Sequence, residues 1–291
     1  MDGILVVNKP YGITSRDVVN EISKKLKTRK VGHTGTLDPI AIGVLIICVG
    51  RATKLVNKLT SSYKIYEAKV KLGILTDTLD NTGNIIRKEE CNVTKEQIID
   101  ALNGFKGKYI QEVPIYSAVK VNGKKLYEYA REGIDVVLPK REVEIKNIEL
   151  IDDLYILDNK ICFDFRCEVS KGTYIRSLIN DISNKLDTIG IMIGLNRIKQ
   201  GNYTIEDAID IKEVDGTKLI SIVDVLNCKK VILNDDIKKK VLNGAKIDNI
   251  YDTDEVLFID NNDAIALYVK DNNETDKLKI EIMFKGGNIW H

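Results

Sequence analysis

Eight residues, Gly32-His33-Thr34-Gly35-Thr36-Leu37-Asp38-Pro39, constrain this chain more than any other stretch of it. Two glycines, two threonines and a proline in so short a span describe a tight loop and not a packed face. A basic, helix-like segment precedes the loop, and an apolar run over residues 43–49 follows it. Pro39 disfavours the α conformation at the residue before it and so holds Asp38 extended or turned. Asp38 is the only carboxylate in the loop. A lone aspartate there either caps a helix or serves chemistry, and the loop by itself leaves both open.

The remaining composition is that of an ordinary globular chain. Of 291 residues, 44% are hydrophobic and 30% charged, which excludes a disordered or membrane-embedded class. Met1 to Asn8 reads as a first strand and not as a signal peptide, and no apolar stretch approaches the roughly 20 residues that span a bilayer. Five cysteines without a C-x-x-C pair read as small core residues of a reducing, cytoplasmic compartment. With only His33 and His291, a histidine-based zinc site is not expected, and Asp77 and Asp80 lack calcium-loop spacing. The net charge is +1 but unevenly spread. Residues 1–64 hold eleven Lys/Arg against four Asp/Glu, while residues 201–291 hold twelve against eighteen. The basic front half suits a polyanion, because phosphate contact depends on local charge.

Periodicity predicts the main elements. Thr14 or Ser15 caps a helix with Val18, Val19, Ile22 and Leu26 inward. Residues 43–49 read as a buried strand, and residues 65–72 alternate so that Tyr66 faces inward while Glu67, Lys69 and Lys71 face out. Thr94 opens a capping box for a helix with Ile98, Ile99 and Leu102 inward. Residues 107–138 break the pattern, with glycines, prolines and the tyrosines Tyr109, Tyr116, Tyr127 and Tyr129 among basic residues. Residues 143–151 and 161–169 read as strands, and Gly172 precedes a further helix. From Cys228 onward short strands suggest a compact β unit whose last strand ends near Phe284, leaving 285–291 as a tail.

Four segments together carry a resemblance. The loop GHTGTLDP with its apolar sequel, Asn8-Lys9-Pro10-x-Gly12-x-Thr14-Ser15, Lys64-Ile65-Tyr66, and Lys171-Gly172-Thr173-Tyr174-Ile175-Arg176-Ser177 resemble, in order, the motifs of the tRNA pseudouridine synthase B family. Leu195-Asn196-Arg197 falls where that family places a leucine and an arginine near its site. The C-terminal unit resembles a PUA RNA-binding module.

The resemblance implies an α+β pseudouridine synthase fold: a central mixed, largely antiparallel sheet flanked by helices, with a thumb insertion and a small β-barrel-like PUA domain. Residues 1–226 would form the catalytic domain, with the thumb near 107–138, and residues 227–291 the PUA-like domain. It implies that Asp38, Tyr66 and Arg176 are catalytic. His33, Tyr174, Leu195, Lys9, Lys120, Lys124, Lys125 and Arg131 would bind the RNA, with Lys9 and Pro10 supporting the site's floor more than touching the base. The expected reaction converts uridine 55 in the TΨC loop of tRNA to pseudouridine, without metal or organic cofactor. The partner would be the tRNA T-arm stem-loop, with no membrane and no obligatory protein partner, the chain acting as a monomer. Two other readings remain at this point: an RNA-binding folding chaperone without turnover, and a guide-RNA-dependent synthase. Chemistry supports the first reading, since a stacked uridine hides its reacting atoms and must be flipped out to meet a carboxylate. A neighbouring arginine would keep that carboxylate charged and oriented in a dry pocket. A separable tail domain would also mean that its deletion weakens RNA affinity more than it slows the bound reaction.

Overall fold

The computed structural model describes residues 1–285, so the C-terminal tail lies outside it from residue 286 onward. Helix α1 (Ser15–Lys25) starts at Thr14, whose hydroxyl accepts from Asp17 N while the Asp17 carboxylate accepts from Thr14 N. That reciprocal pair satisfies two backbone donors that a helix start otherwise strands. Val18, Val19 and Ile22 are buried against strands β1 (Gly3–Lys9) and β2 (Ala41–Val49).

These two strands explain their own sequence. Side chains alternate across a strand, so Leu5, Val7, Leu45, Ile47 and Val49 face α1. Ile4, Val6, Val44, Ile46 and Cys48 face the other way, into a second core shared with Leu257, Ala264, Leu267 and Phe284 of the C-terminal unit. Both faces are covered, and a continuous apolar run is the consequence.

The sheet continues through β3 (Lys64–Leu72), β4 (Gly107–Glu112), β5 (Lys140–Leu150), β6 (Lys160–Val169) and β7 (Gly190–Gln200). Their spatial order is β1-β2-β7-β3-β6-β5-β4. Only the β2–β7 contact and a short strand, Ile209–Asp210, beside β1 are parallel. The fold is thus α+β, with a mixed and largely antiparallel sheet. Helices α2 (Lys95–Asn103) and α3 (Ile175–Lys185) pack on one face of β3, β5, β6 and β7.

The C-terminal unit is a five-stranded sheet in the order β8 (Lys229–Ile232), β10 (Glu255–Asp260), β11 (Asp263–Lys270), β12 (Lys277–Met283), β9 (Ile247–Asp248), consistent with a PUA-like domain. Val256, Phe258, Ile265 and Tyr268 form its own core. Arg51 bridges to Asp263 at 2.8 Å, and Lys58 pairs with Glu255 and Glu281. A shared core and these ion pairs fasten the unit to β1 and β2, which the reading of a separable tail did not foresee.

Three local expectations need correction. Residues 107–112 are an edge strand of the main sheet, so the irregular excursion begins at Val113 and not at Gly107. Ile99 is exposed, because only Ile98, Ala101 and Leu102 of α2 fall on its inward stripe. Lys71 is buried, its ammonium held 2.6 Å from Asp158 on the neighbouring turn.

Candidate active site

The loop that carries Asp38 is braced from below by the segment at the end of β1. Lys9 has no exposed surface, and its ammonium donates to the carbonyls of Pro10 (2.9 Å), Pro39 (3.3 Å) and Ala41 (2.7 Å). Gly12 N donates to Pro39 O, and the Ser15 hydroxyl both accepts from Leu37 N and donates to Leu37 O. The carbonyls and amides on both sides of Asp38 are therefore tied to β1 and the first turn of α1. Lys9, grouped by resemblance with the RNA-contacting residues, is corrected here. Its three donors are spent on backbone carbonyls, and no RNA can reach it.

Burial pushes the Lys9 ammonium down to about 8, against the pull of the Asp38 carboxylate. Lys64, buried and donating to the carbonyls of Thr60 and Ser62, is likewise pushed down to about 8, chiefly by burial and then by Arg197. An unfolded lysine titrates near 10.5, so between about pH 8 and 10.5 the unfolded state binds more protons. The two lysines' contribution to stability should therefore rise with pH across that window, against the opposite contribution of buried thiols such as Cys48, which burial pushes up to about 12. In urea unfolding from pH 7.5 upward, the stability of wild type relative to Lys9→Met is expected to rise by on the order of 2 kcal/mol. A difference between the two that is flat or falls with pH would refute the assignment.

Above this floor the chain closes a cavity of about 360 Å³. Asp38, Tyr66, Leu195, Tyr174 and Arg176 all line it, drawn from the loop, β3, β7 and the start of α3. Arg176 Nε donates to Asp38 Oδ2 at 2.9 Å and Nη2 to Oδ1 at 3.3 Å. Two of its remaining N–H groups donate to Thr78 O and Tyr116 O, each at 3.0 Å, and Asp80 Oδ2 lies 4.0 Å from Nε. The Arg176 side chain is 5% exposed and that of Asp38 34%, so the cation is sunk while the carboxylate opens to the cavity. A two-point charge-assisted pair of this kind fixes the orientation of the carboxylate.

A second arginine, Arg197, is 1% exposed and braces the opposite wall. It donates to Val44 O (2.6 Å), Gly35 O (3.1 Å) and the Tyr66 hydroxyl (3.4 Å). Gly43 makes room for it: at φ +102°, a Cβ there would sit 2.4 Å from Arg197 O. His33 is half-buried, and its Nδ1 accepts from Gly35 N at 3.3 Å. Burial, with Arg197 and Arg16 nearby, lowers its imidazole below the ordinary value, which favours the neutral ring.

The excursion after β4 forms a flap over the mouth. Tyr116, Ser117, Ala118 and Tyr127 contribute to the cavity wall. A short helix, Leu126–Glu132, follows Lys125 directly. Lys125 and Arg131 sit over the Tyr127 ring at 5.3 and 5.2 Å, and Lys124 over Tyr129 at 5.0 Å. Lys124 also pairs with Glu132, so its charge is partly used within the flap. Lys120 and Arg131 are exposed. Sequence reasoning missed Asp80, Thr78 and Tyr116 as partners of Arg176. It weighed Asp80 only as a metal ligand, although residues 76–84 hold three threonines and two aspartates in a turn-rich run.

A family model described as TruB family pseudouridylate synthase, N-terminal domain, matches residues 23–175. The chain belongs to that family. Relatives named tRNA pseudouridine synthase B agree over most of both chains. That of Clostridium kluyveri is 44% identical over 252 residues, covering 85% of this chain and 86% of its own. That of Thermosipho melanesiensis is 42% identical over 286 residues, covering 94% and 92%. That of Bacillus subtilis is 44% identical, covering 85% and 84%. A solved structure, a Cbf5-Nop10-Gar1 complex, matches with a TM-score of 0.69 at 26% identity, covering 98% of this chain and 85% of that one. The TruB family match spans the loop, the tyrosine strand and the segment up to Ile175, one residue short of Arg176.

Proposed function

We propose that this protein converts uridine 55 in the TΨC loop of tRNA to pseudouridine, acting on the T-arm stem-loop without a guide RNA, metal or organic cofactor. The observation that carries the reading is the two-point Asp38–Arg176 pair on the wall of a cavity lined by Tyr66 and Leu195. Tyr66 gives a face on which a flipped uracil stacks, and its hydroxyl is oriented by Arg197. Asp38 is the carboxylate open to that space, while Asp80 is buried behind Arg176. In the isomerisation the N1–C1′ bond breaks, the base turns and C5 bonds to C1′. The C5 proton leaves while N1 gains one, so the reaction needs no external reagent. Arg176 holds the Asp38 carboxylate aimed at the sugar and base throughout.

In the same reading, Tyr174 and Leu195 border the flipped nucleotide, and His33 contacts RNA beside it. Lys120, Lys125 and Arg131 meet phosphates, with Lys124 contributing less because of Glu132. The names of the relatives support tRNA as the substrate. The family resemblance of the flap to the thumb of stand-alone members supports action without a guide RNA. A cytoplasmic location fits five unpaired cysteines and the lack, among the described residues, of a helix able to cross a membrane.

The test uses an unmodified T-arm stem-loop carrying tritium at C5 of the target uridine. Only a C5 that becomes the glycosidic carbon loses its label. Release by the wild-type protein in metal-free buffer supports the proposal, and bound RNA without release would turn the reading to a chaperone.

A further inference from the structure

Strand β4 reverses the usual polarity of a sheet face. Ile110 is 60% exposed, whereas its neighbour Gln111 is wholly buried. An amide is not placed in a core without partners, because an unpaired one costs more than it stabilises. Its partners are informative. Gln111 Oε1 accepts from Tyr174 N at 2.7 Å, and Nε2 donates to Tyr174 O at 3.1 Å and to the Tyr109 hydroxyl at 2.5 Å. One side chain thus grips both backbone polar groups of Tyr174.

Tyr174 is the N-cap of α3, and no side chain of its own segment caps the helix. Helix starts leave donors unsatisfied, and here a residue 63 positions away supplies the missing acceptor. The Ser177 hydroxyl adds a bond to Glu112 O at 2.9 Å, so β4 is stitched to the first turn of α3 at two points. Arg176 sits in that turn. The amide's orientation is itself determined. Tyr174 N–H can only donate and its carbonyl can only accept, so the amide oxygen faces Tyr174 N while the NH2 group faces Tyr174 O and the Tyr109 hydroxyl.

We propose that Gln111 is a positioning residue for the isomerisation: by clamping the Tyr174 peptide, with its amide also held by the Tyr109 hydroxyl, it sets Arg176 in register with Asp38. The inference rests on the reading of Asp38 and Arg176 as the reacting pair. Gln111 touches no reacting atom. Its effect passes through the backbone of Tyr174 to the guanidinium two residues on, where small displacements loosen the bidentate contact.

The experiment compares wild type, Gln111→Met, which retains the length of the side chain, and Tyr109→Phe, which removes only the hydroxyl that accepts from the amide. Single-turnover tritium release and RNA affinity are measured on each. Arginine Nε–H signals are also followed by nitrogen-15 NMR without RNA, with Arg176 identified by its loss in Arg176→Lys. For Gln111→Met the rate is expected to fall about 10- to 100-fold with affinity kept within about threefold, and for Tyr109→Phe by a smaller factor of the same sign. The Arg176 signal should shift or broaden in both. A purely structural role would instead lower affinity and rate together with thermal stability. Rates within twofold of wild type, an unmoved Arg176 signal, or a loss confined to affinity would overturn the inference. If wild type itself releases no tritium, the proposed reaction fails, while the NMR comparison still decides whether Gln111 places Arg176.

Discussion

Asp38→Asn is expected to stop isomerisation while leaving RNA affinity within a few-fold of wild type. Asparagine keeps the shape of the side chain and an oxygen for Arg176 Nε, but it removes the negative charge. Arg176 is not stranded by the change, because Thr78 O and Tyr116 O still accept from it and Asp80 remains 4.0 Å from Nε. The fold and the RNA surface should therefore survive. No other carboxylate replaces Asp38, since Asp80 is buried and its Oδ1 already accepts from Thr78 and Thr82. A rate loss of at least about 10³-fold, equal to about 4 kcal/mol of barrier, is expected. Tritium release under single turnover gives the rate and filter binding gives the affinity. Turnover retained near the wild-type level would remove Asp38 from the chemistry and the proposed reaction with it.

The second large effect concerns the C-terminal unit. Deleting residues 228–291 is expected to unfold the rest of the chain, and not merely to weaken RNA binding. The deletion takes Leu257, Ala264, Leu267 and Phe284 away from Ile4, Val6, Val44, Ile46 and Cys48. It also strips Arg51 of Asp263 and Lys58 of both its acidic partners. Exposing several core side chains at roughly 1.5–3 kcal/mol each sums to about 10 kcal/mol. That is comparable with the roughly 5–15 kcal/mol by which a whole domain is stable. The strands affected, β1 and β2, also hold the Asp38 loop, through Lys9 and the carbonyls of Pro39 and Ala41. Urea unfolding of the truncated chain should show no cooperative transition near the full-length midpoint. A fragment that unfolds cooperatively with stability close to the full chain would show that the shared core contributes little.

What the sequence determined by itself is local. The capping box at Thr14, the alternation that buries Tyr66 and the double-sided apolar runs of β1 and β2 depend on residues within one turn or one strand. The resemblance of the motifs singled out Asp38, Tyr66 and Arg176, and the structure brings all three to one cavity. Tertiary structure alone decided how the charged and polar residues are used. Lys9, Lys64 and Arg197 carry side chains that composition assigns to water, yet each is buried against backbone carbonyls supplied by the fold. Asp80 and Gln111 gained their significance from Arg176 and Tyr174, which lie far along the chain. Hydrophobic periodicity reports where a segment turns its apolar face. It carries no information about which distant donor meets which acceptor, because that depends on how separate strands and helices come to lie beside one another. The same reason hid the shared core between β1, β2 and the C-terminal sheet: each strand shows that both faces are covered, and only the folded chain shows by what.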